Sequence, residues 1–302
     1  MTYEWHGLFG PALSDRQIRI NEPMRRHTTF GIGGPADCFL LPESVEELQQ
    51  VCRIISDHGL PLFILGGGAN LLVRDGGIRG VVIATTHLGH LSRKGDVITA
   101  CAGAPTVKTA RFAQECGLSG MEFASGIPGS IGGAAYMNAG AYGGDMAGII
   151  TEAVTCDRKG ILHRYDREEL EYAYRHSLFM DNGEVIVSVS FRLKEGDPQE
   201  IKKQMEEFNS RRRSKQPLEF HSAGSTFKRP EGHYVGEMIE HLGLKGFSVG
   251  EAQVSEKHAG FLINRGHATC EDVLALMAEV QRRVKERYHV DIEPEVQIVG
   301  AK

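Results

Sequence analysis

The stretch from Phe123 to Gly144 sets glycines singly and in pairs among small residues, with Gly126, Gly129, Gly132, Gly133, Gly140, Gly143 and Gly144 at short intervals. Backbone amides in such a run can turn outward and come close to a ligand that a Cβ would hold off, gripping a phosphate without a charged side chain. The same pattern suits a buried turn between two closely packed layers, so taken alone it leaves both readings open.

A second glycine loop lies upstream. Leu62-Phe63-Ile64-Leu65 reads as a short buried strand, runs into Gly66-Gly67-Gly68-Ala69-Asn70, and gives way to an extended Leu71-Leu72-Val73. This is a second phosphate-sized loop, with a plain hairpin turn as its structural alternative. The string Gly31-x-Gly33-x-x-Ala36 resembles a dinucleotide fingerprint, but that fingerprint must follow a strand and open a helix. Here the apolar run Cys38-Phe39-Leu40-Leu41 follows the glycines and ends at Pro42, which predicts a tight turn entering a sheet instead.

A chain of 302 residues is long enough for two or three domains with a sizeable core, and a small ligand could sit at a seam. The balance of 34 basic against 39 acidic residues, a formal charge of -5, argues against nucleic acid as the main partner. The six cysteines occur singly with no C-x-x-C pair, as expected of reduced thiols in a cytoplasmic protein. The first twenty residues lack the basic start and apolar run of a signal peptide, and no later window is apolar for long enough to span a bilayer. Thirteen histidines include no H-x-x-x-H or H-E-x-x-H spacing, so no metal site is expected.

Between the loops the pattern alternates helices and strands. Ser44-Val45-Glu46-Glu47 is a capping-box start, and Val45, Leu48, Val51 and Ile55 recur at helical spacing until Gly59. Strands are expected at 81–84 and 97–102, then a helix from Pro105 to Gly117 through Val107, Ala110, Ala113 and Cys116. Strands near 152–157, 161–165 and 184–192 follow, with a short helix over 167–174 between them. Residues 30–194 therefore read as a two-part α+β domain. Asp197-Pro198-Gln199-Glu200 opens a charged helix to about Arg213, the bridge to a second domain. Helices near 234–242 and from Glu271 to Tyr288 come next, the latter with Val273, Met277, Val280, Val284 and Tyr288 on one stripe. The close, 290–299, alternates with period two and sets Asp291, Glu293, Glu295 and Gln297 on one face.

Five strings acquire a joint meaning. Leu65-Gly66-Gly67-Gly68-Ala69-Asn70-Leu71, Gly126-Ile127-Pro128-Gly129-Ser130-Ile131-Gly132-Gly133, Tyr174-Arg175-His176-Ser177, Ala223-Gly224-Ser225-Thr226-Phe227-Lys228 and Glu293-Pro294-Glu295-Val296 together closely resemble the UDP-N-acetylenolpyruvoylglucosamine reductase family, in the family's order from about Thr28 to Val299. The resemblance implies an α+β fold: an N-terminal segment 1–29, an FAD-binding domain of the vanillyl-alcohol-oxidase (PCMH) type over 30–194 in subdomains of about 30–85 and 86–194, and a smaller α+β substrate-binding domain over 195–302. Its last strand, about 290–299, would carry a catalytic carboxylate back to the flavin site. The short stretch between Arg175 and Ser225 resembles the shorter of the family's two forms.

The reaction so implied is NADPH-driven, flavin-mediated reduction of the enolpyruvyl ether of UDP-N-acetylglucosamine enolpyruvate, completing UDP-N-acetylmuramate for peptidoglycan. Hydride addition to the terminal carbon builds charge next to the carboxylate, so a cation and a hydrogen-bonding carboxyl group lower the barrier and an acid must protonate the carbon. Matched onto this chain, Arg175 would hold the carboxylate, Glu295 would assist, and Ser225 would deliver the proton with Lys228 stabilising its conjugate base. Non-covalent FAD would be held by Gly66, Gly67, Gly68, Ala69, Asn70 and Leu71 in the first loop and by Gly126, Ser130, Gly132, Gly133, Asn138, Gly140 and Tyr142 in the second. Substrate contacts would come from Tyr174, Arg212 and Lys228. Many relatives carry an arginine two positions beyond the catalytic glutamate where this chain has Gln297, which passes the substrate-phosphate role to Arg212 or Lys228. The implied protein is a cytoplasmic monomer with NADPH as co-substrate and no nucleic-acid or membrane partner. Two alternatives stand beside it: a sugar or alcohol oxidase on the same fold, whose tethering histidine the first glycine loop lacks, and a nucleotide-sugar binder without turnover, which would have no need of a proton donor.

Overall fold

A computed structural model describes residues 4–302, which divide into two compact units. Of the described residues, the first comprises 4–20, 38–67 and 80–211, and the second comprises 21–37, 68–79 and 212–302. The chain passes from one unit to the other inside the strands Ile18–Pro23, Pro35–Leu40 and Ile78–Ala84. These strands belong to a four-stranded sheet in the order Ile18–Pro23, Pro35–Leu40, Ile78–Ala84, Leu62–Leu65.

Two cores form within the first unit. One packs the helix Val45–Asp57 through Leu48, Val51, Cys52 and Ile55 onto Cys38, Leu40, Val81 and Ile83. Ser44 caps that helix, its hydroxyl accepting from the Glu47 amide, while the Glu47 carboxylate accepts from the Glu43 amide in place of the reciprocal capping-box bond to Ser44. The other core lies on a five-stranded antiparallel sheet in the order Leu162–Asp166, Ile150–Cys156, Val185–Arg192, Val97–Cys101, Leu91–Lys94. Alternate residues Val189 and Phe191 of that sheet, joined by Ile186 beyond a register shift, are buried with Ile98, Ala100 and Ala153.

Several expectations are corrected here. The helix after Pro105 runs Thr106–Glu115 and buries Thr106, Thr109, Ala110 and Ala113, whereas Val107 is 45% exposed. Thr109 satisfies its buried hydroxyl by returning it to the Pro105 carbonyl at 3.0 Å, whereas the buried Thr106 hydroxyl has no hydrogen-bond partner among the described residues. Residues 167–174 form only a 3-10 turn, Arg167–Leu170, which Glu171 ends in a left-handed conformation at φ 48°. Inside the glycine-rich stretch a short helix appears, Ile131–Tyr136, capped by Ser130.

The second unit has its own core. The helix Cys270–Tyr288, capped by Thr269, buries Val273, Leu276, Met277, Val280 and Val284 against Val235, Met238 and Ile239 of the helix Val235–His241. It also packs on Ala252, Val254 and Leu262 of a three-stranded antiparallel sheet, in the order Ser248–Val249, Ala252–Val254, Leu262–Asn264. Of the closing period-two run, only Gln297–Val299 is a strand, paired in parallel with Leu71–Val73. That pairing also settles the triple-glycine loop, which is no hairpin: Leu62–Leu65 pairs with Leu62's partner Val81 and onward to Ala84, while Leu71–Val73 joins a different sheet.

Candidate active site

In the first unit the two glycine loops touch. A Cβ on Gly67 would lie 2.5 Å from Gly129 Cα, so a larger residue there would force the loops apart, and one on Gly66 would lie 2.6 Å from Ser130 Oγ and displace that hydroxyl. The Ser130 hydroxyl accepts from the Gly67 amide at 3.1 Å and from the Gly133 amide at 3.4 Å. Gly132 is buried, and its amide donates to the Ala102 carbonyl at 2.8 Å. Gly132 and Gly133 thus serve the packing of the short helix, and Ser130 ties one loop to the other.

Other amides are left for a ligand. Among the described residues, the amides of Gly126, Gly129 and Ser130 in the first unit, and of Gly68 and Ala69 in the second, have no protein acceptor. Buried or half-buried amides without a partner are rare, and clusters of them suit an anion. The Gly126, Gly129 and Ser130 amides of the first unit fit a phosphate group of a cofactor such as FAD.

Downstream of the loops the chain builds a tight turn around Arg175. Ala173 and His176 pair through both main-chain bonds, each 3.2 Å, and leave Tyr174 and Arg175 at the tip. Arg175 lies in the left-handed region at φ 56°, a costly place for a long side chain, and its guanidinium stands 5.1 Å from the Tyr174 ring. Asn138 supports the turn: its Nδ2 donates to the Ala173 carbonyl at 3.0 Å and its own carbonyl accepts from Arg175 Nη1 at 3.3 Å. Its Oδ1 accepts from the Ala147 amide at 2.9 Å. The Asn138 amide, expected to contact the cofactor, thus bonds within the protein at both ends. Ser177, fully buried, donates to the Tyr136 carbonyl at 2.7 Å. Tyr142 stacks on Phe208 with centroids 4.5 Å apart and donates to its carbonyl at 3.1 Å, while Gly140 pairs with Asp145.

The second unit brings Ser225, Lys228 and Glu295 together. The segment 225–228 lies between two others: Ser225 pairs with Phe261 on one side, and Phe227 pairs with Pro294 on the other. The Thr226 amide donates to the Gly260 carbonyl at 2.9 Å, the Glu295 amide to the Thr226 carbonyl at 2.8 Å, and the Lys228 amide to the Glu293 carbonyl at 2.8 Å. Thr226 and Phe227 are buried, which turns Ser225 outward at the head of the segment, and Glu295 is half-buried beside buried Val296. Asn70 adds a clamp, with Nδ2 donating to the Glu295 carbonyl at 3.1 Å and its carbonyl accepting from the Gln297 amide at 3.0 Å. Leu71 continues into the strand paired with Gln297.

Lys228 extends its ammonium to Glu293 Oε2 at 3.1 Å. Both side chains are well exposed, so the pair is weak and exchangeable for a stronger anionic partner. Arg212 lies near the end of the helix Pro198–Lys215 and is half-buried. Arg175 and Tyr174 belong to the first unit, and Arg212, Ser225, Lys228 and Glu295 to the second. Reading the sequence missed Ser177 and Thr226 as supports. Both sit inside the strings already singled out, and each is a small polar residue among residues the fold buries.

Among the described residues no group of three or more histidines, cysteines or acidic residues could hold a metal ion. No described helix is long and apolar enough to cross a membrane, and all six cysteines are free thiols.

Comparison with known proteins gives two family matches: the C-terminal domain of UDP-N-acetylenolpyruvoylglucosamine reductase over residues 216–299, and an FAD-binding domain over residues 36–164. The UDP-N-acetylenolpyruvoylglucosamine reductase of Clostridium perfringens is 46% identical over 98% of both chains. That of Syntrophomonas wolfei is 47% identical over 95% of this chain and 97% of its own. The crystal structure of the enzyme from Thermus caldophilus matches with a TM-score of 0.80 at 34% identity, covering 94% of this chain and 98% of that one.

Proposed function

The chain belongs to the UDP-N-acetylenolpyruvoylglucosamine reductase family, and on that premise we propose that it reduces the enolpyruvyl group of UDP-N-acetylglucosamine enolpyruvate to give UDP-N-acetylmuramate, a step of peptidoglycan precursor synthesis. Bound FAD would supply the hydride relay from NADPH to the substrate. We assign the FAD-binding domain to residues 30–194 and the substrate-binding domain to 195–302, in a cytoplasmic monomer.

The roles of the chain's own groups follow from the charge that the reaction develops. Arg175 holds the substrate carboxylate through its planar guanidinium, whose delocalised charge meets the enolate that forms as the double bond is reduced. Glu295 hydrogen-bonds beside it. Ser225 gives its hydroxyl proton to the carbon next to the carboxylate, and Lys228, released from its exposed pair with Glu293, offsets the charge left on the serine oxygen. Amides of Gly126, Gly129 and Ser130 would hold the cofactor pyrophosphate. Tyr174, Arg212 and Lys228 meet the substrate, Arg212 or Lys228 taking the phosphate charge where this chain has Gln297.

One observation carries this reading. Main-chain bonding of Thr226 to Glu295 sets a candidate proton donor and a candidate carboxyl group on neighbouring segments of one unit. The test is an absorption scan of the purified protein, followed by anaerobic NADPH and then the enolpyruvyl substrate. A flavin spectrum that bleaches with NADPH and returns with substrate is the expected result. Reoxidation by oxygen at a rate matching NADPH turnover would mark an oxidase instead, and a colourless protein that takes up no FAD would overturn the reading.

A further inference from the structure

We infer that Asn138 is a positioning residue for Arg175, setting the guanidinium that meets the substrate carboxylate; this rests on the role proposed above for Arg175. Two adjoining left-handed residues carry the argument. Asn138 has φ 44° and Arg175 has φ 56°, and neither is a glycine. Asparagine tolerates this region better than most residues, whereas arginine stays there only where its surroundings over-determine it. The turn's own main-chain bonds, each 3.2 Å, are long, so the extra restraint comes from outside it.

Asn138 supplies that restraint in three bonds. Its Nδ2 holds the Ala173 carbonyl, its Oδ1 is anchored on the Ala147 amide, and its main-chain carbonyl accepts directly from Arg175 Nη1. The residue is 4% exposed, so water does not compete easily for any of these groups. The side chain therefore fixes the backbone of the turn, and the main chain of the same residue fixes the end of the arginine. A cation and its carboxylate ligand form a two-point contact only within a narrow range of orientation, so a displaced turn loses rate without losing the charge.

The test compares half-reactions in the FAD-loaded enzyme. Asn138→Gly removes the amide while accepting the left-handed backbone and retaining the carbonyl. Asn138→Asp keeps the shape and the acceptor for Ala147 but turns the Ala173 contact repulsive. Each variant is expected to keep its FAD content and its rate of flavin reduction by NADPH within about 2-fold, and to slow reoxidation by substrate by about 100-fold. In an Arg175→Ala background, Asn138→Gly should add less than about 2-fold, because it has nothing left to position. Hydrogen exchange at the His176 amide should quicken in Asn138→Gly. Wild-type reoxidation in Asn138→Gly, an equal fall in both half-reactions, an undiminished penalty beside Arg175→Ala, or unchanged exchange at His176 would each overturn the inference. Should Arg175→Ala itself reoxidise at the wild-type rate, the role of Arg175 falls first and this inference with it. An impaired Arg175→Ala beside a normal Asn138→Gly removes Asn138 alone.

Discussion

Arg175 is held at a left-handed position in a two-residue turn by side-chain bonds to remote parts of its unit, Asn138 reaching onto the turn and Ser177, beside the turn, reaching out to Tyr136. Ser225 and Glu295 are held in the other unit by main-chain bonds running from Gly260 through Thr226 to Glu295. A main-chain bond survives almost every substitution, whereas a side-chain bond disappears with one. The first unit should therefore lose its geometry to mutations away from the reacting groups, and the second should lose function mainly through the reacting groups themselves.

The largest effect expected is on the second side of that contrast. Ser225→Ala should slow reoxidation by the enolpyruvyl substrate by about 10²–10⁴-fold, as loss of a proton donor does, and leave flavin reduction by NADPH nearly intact in stopped-flow traces. Equal loss in both half-reactions would make Ser225 structural. Next come Arg175→Ala and Glu295→Gln, each expected to reduce the same half-reaction by about 10²-fold or more through lost stabilisation of developing charge; a wild-type rate in either would take that residue out of the mechanism. Asn70→Ala sharpens the contrast. It removes one bond to the Glu295 carbonyl, worth about 1 kcal/mol, but leaves the Thr226 bond in place, so the substrate-dependent rate should fall by only about 5-fold. A loss as deep as that expected for Asn138→Gly would erase the distinction between the two units.

The smallest effect concerns acidity. Burial pushes the His258 imidazole below its ordinary value, and its Nδ1 accepts from the Gly260 amide at 3.1 Å, a bond only the neutral tautomer can make. Because the folded-state value is the lower one, this contribution to stability is fully present above the unfolded-state value of about 6.5 and is lost as pH falls through the folded value. Gly260 in turn receives the Thr226 amide, so acid should loosen the segment that bears Ser225. Urea midpoints measured at pH 7.5 and pH 5 should differ less in His258→Gln than in the parent; an equal drop in both would acquit His258.

How far the sequence could be read depended on the range of the interaction. Helices with a cap and a repeating apolar face were legible, as Ser44 with Leu48, Val51 and Ile55 demonstrates, since cap and stripe lie within a few turns. The helix opened by Asp197-Pro198 was legible for the same reason, with Asp197 Oδ1 accepting from the Gln199 amide. The partner of Leu71–Val73 was not, because nothing local distinguishes a hairpin from a strand that pairs with Gln297–Val299. Residues 167–174 misled because their charged composition suits a helix, whereas Glu171 takes a left-handed position that ends the turn after Leu170. Arg175, Ser225 and Glu295 could be singled out by the strings around them. Their supports could not, because Asn138 on Ala173 and Asn70 on Glu295 join positions remote in sequence.

The interleaving of the two units has a consequence for the order in which a growing chain can fold. Every segment of the first unit has been made once Arg211 is reached, so both of its cores can close during synthesis. The second unit cannot. Phe30, Ile32 and Leu72 belong to a core whose remaining members all come from Ala223 onward, so these early residues must wait with their apolar surface uncovered until the last third of the chain emerges. A nascent chain halted near residue 211 would therefore combine a folded unit with segments 21–37 and 68–79 that have no core to join, a species open to chaperones and proteases.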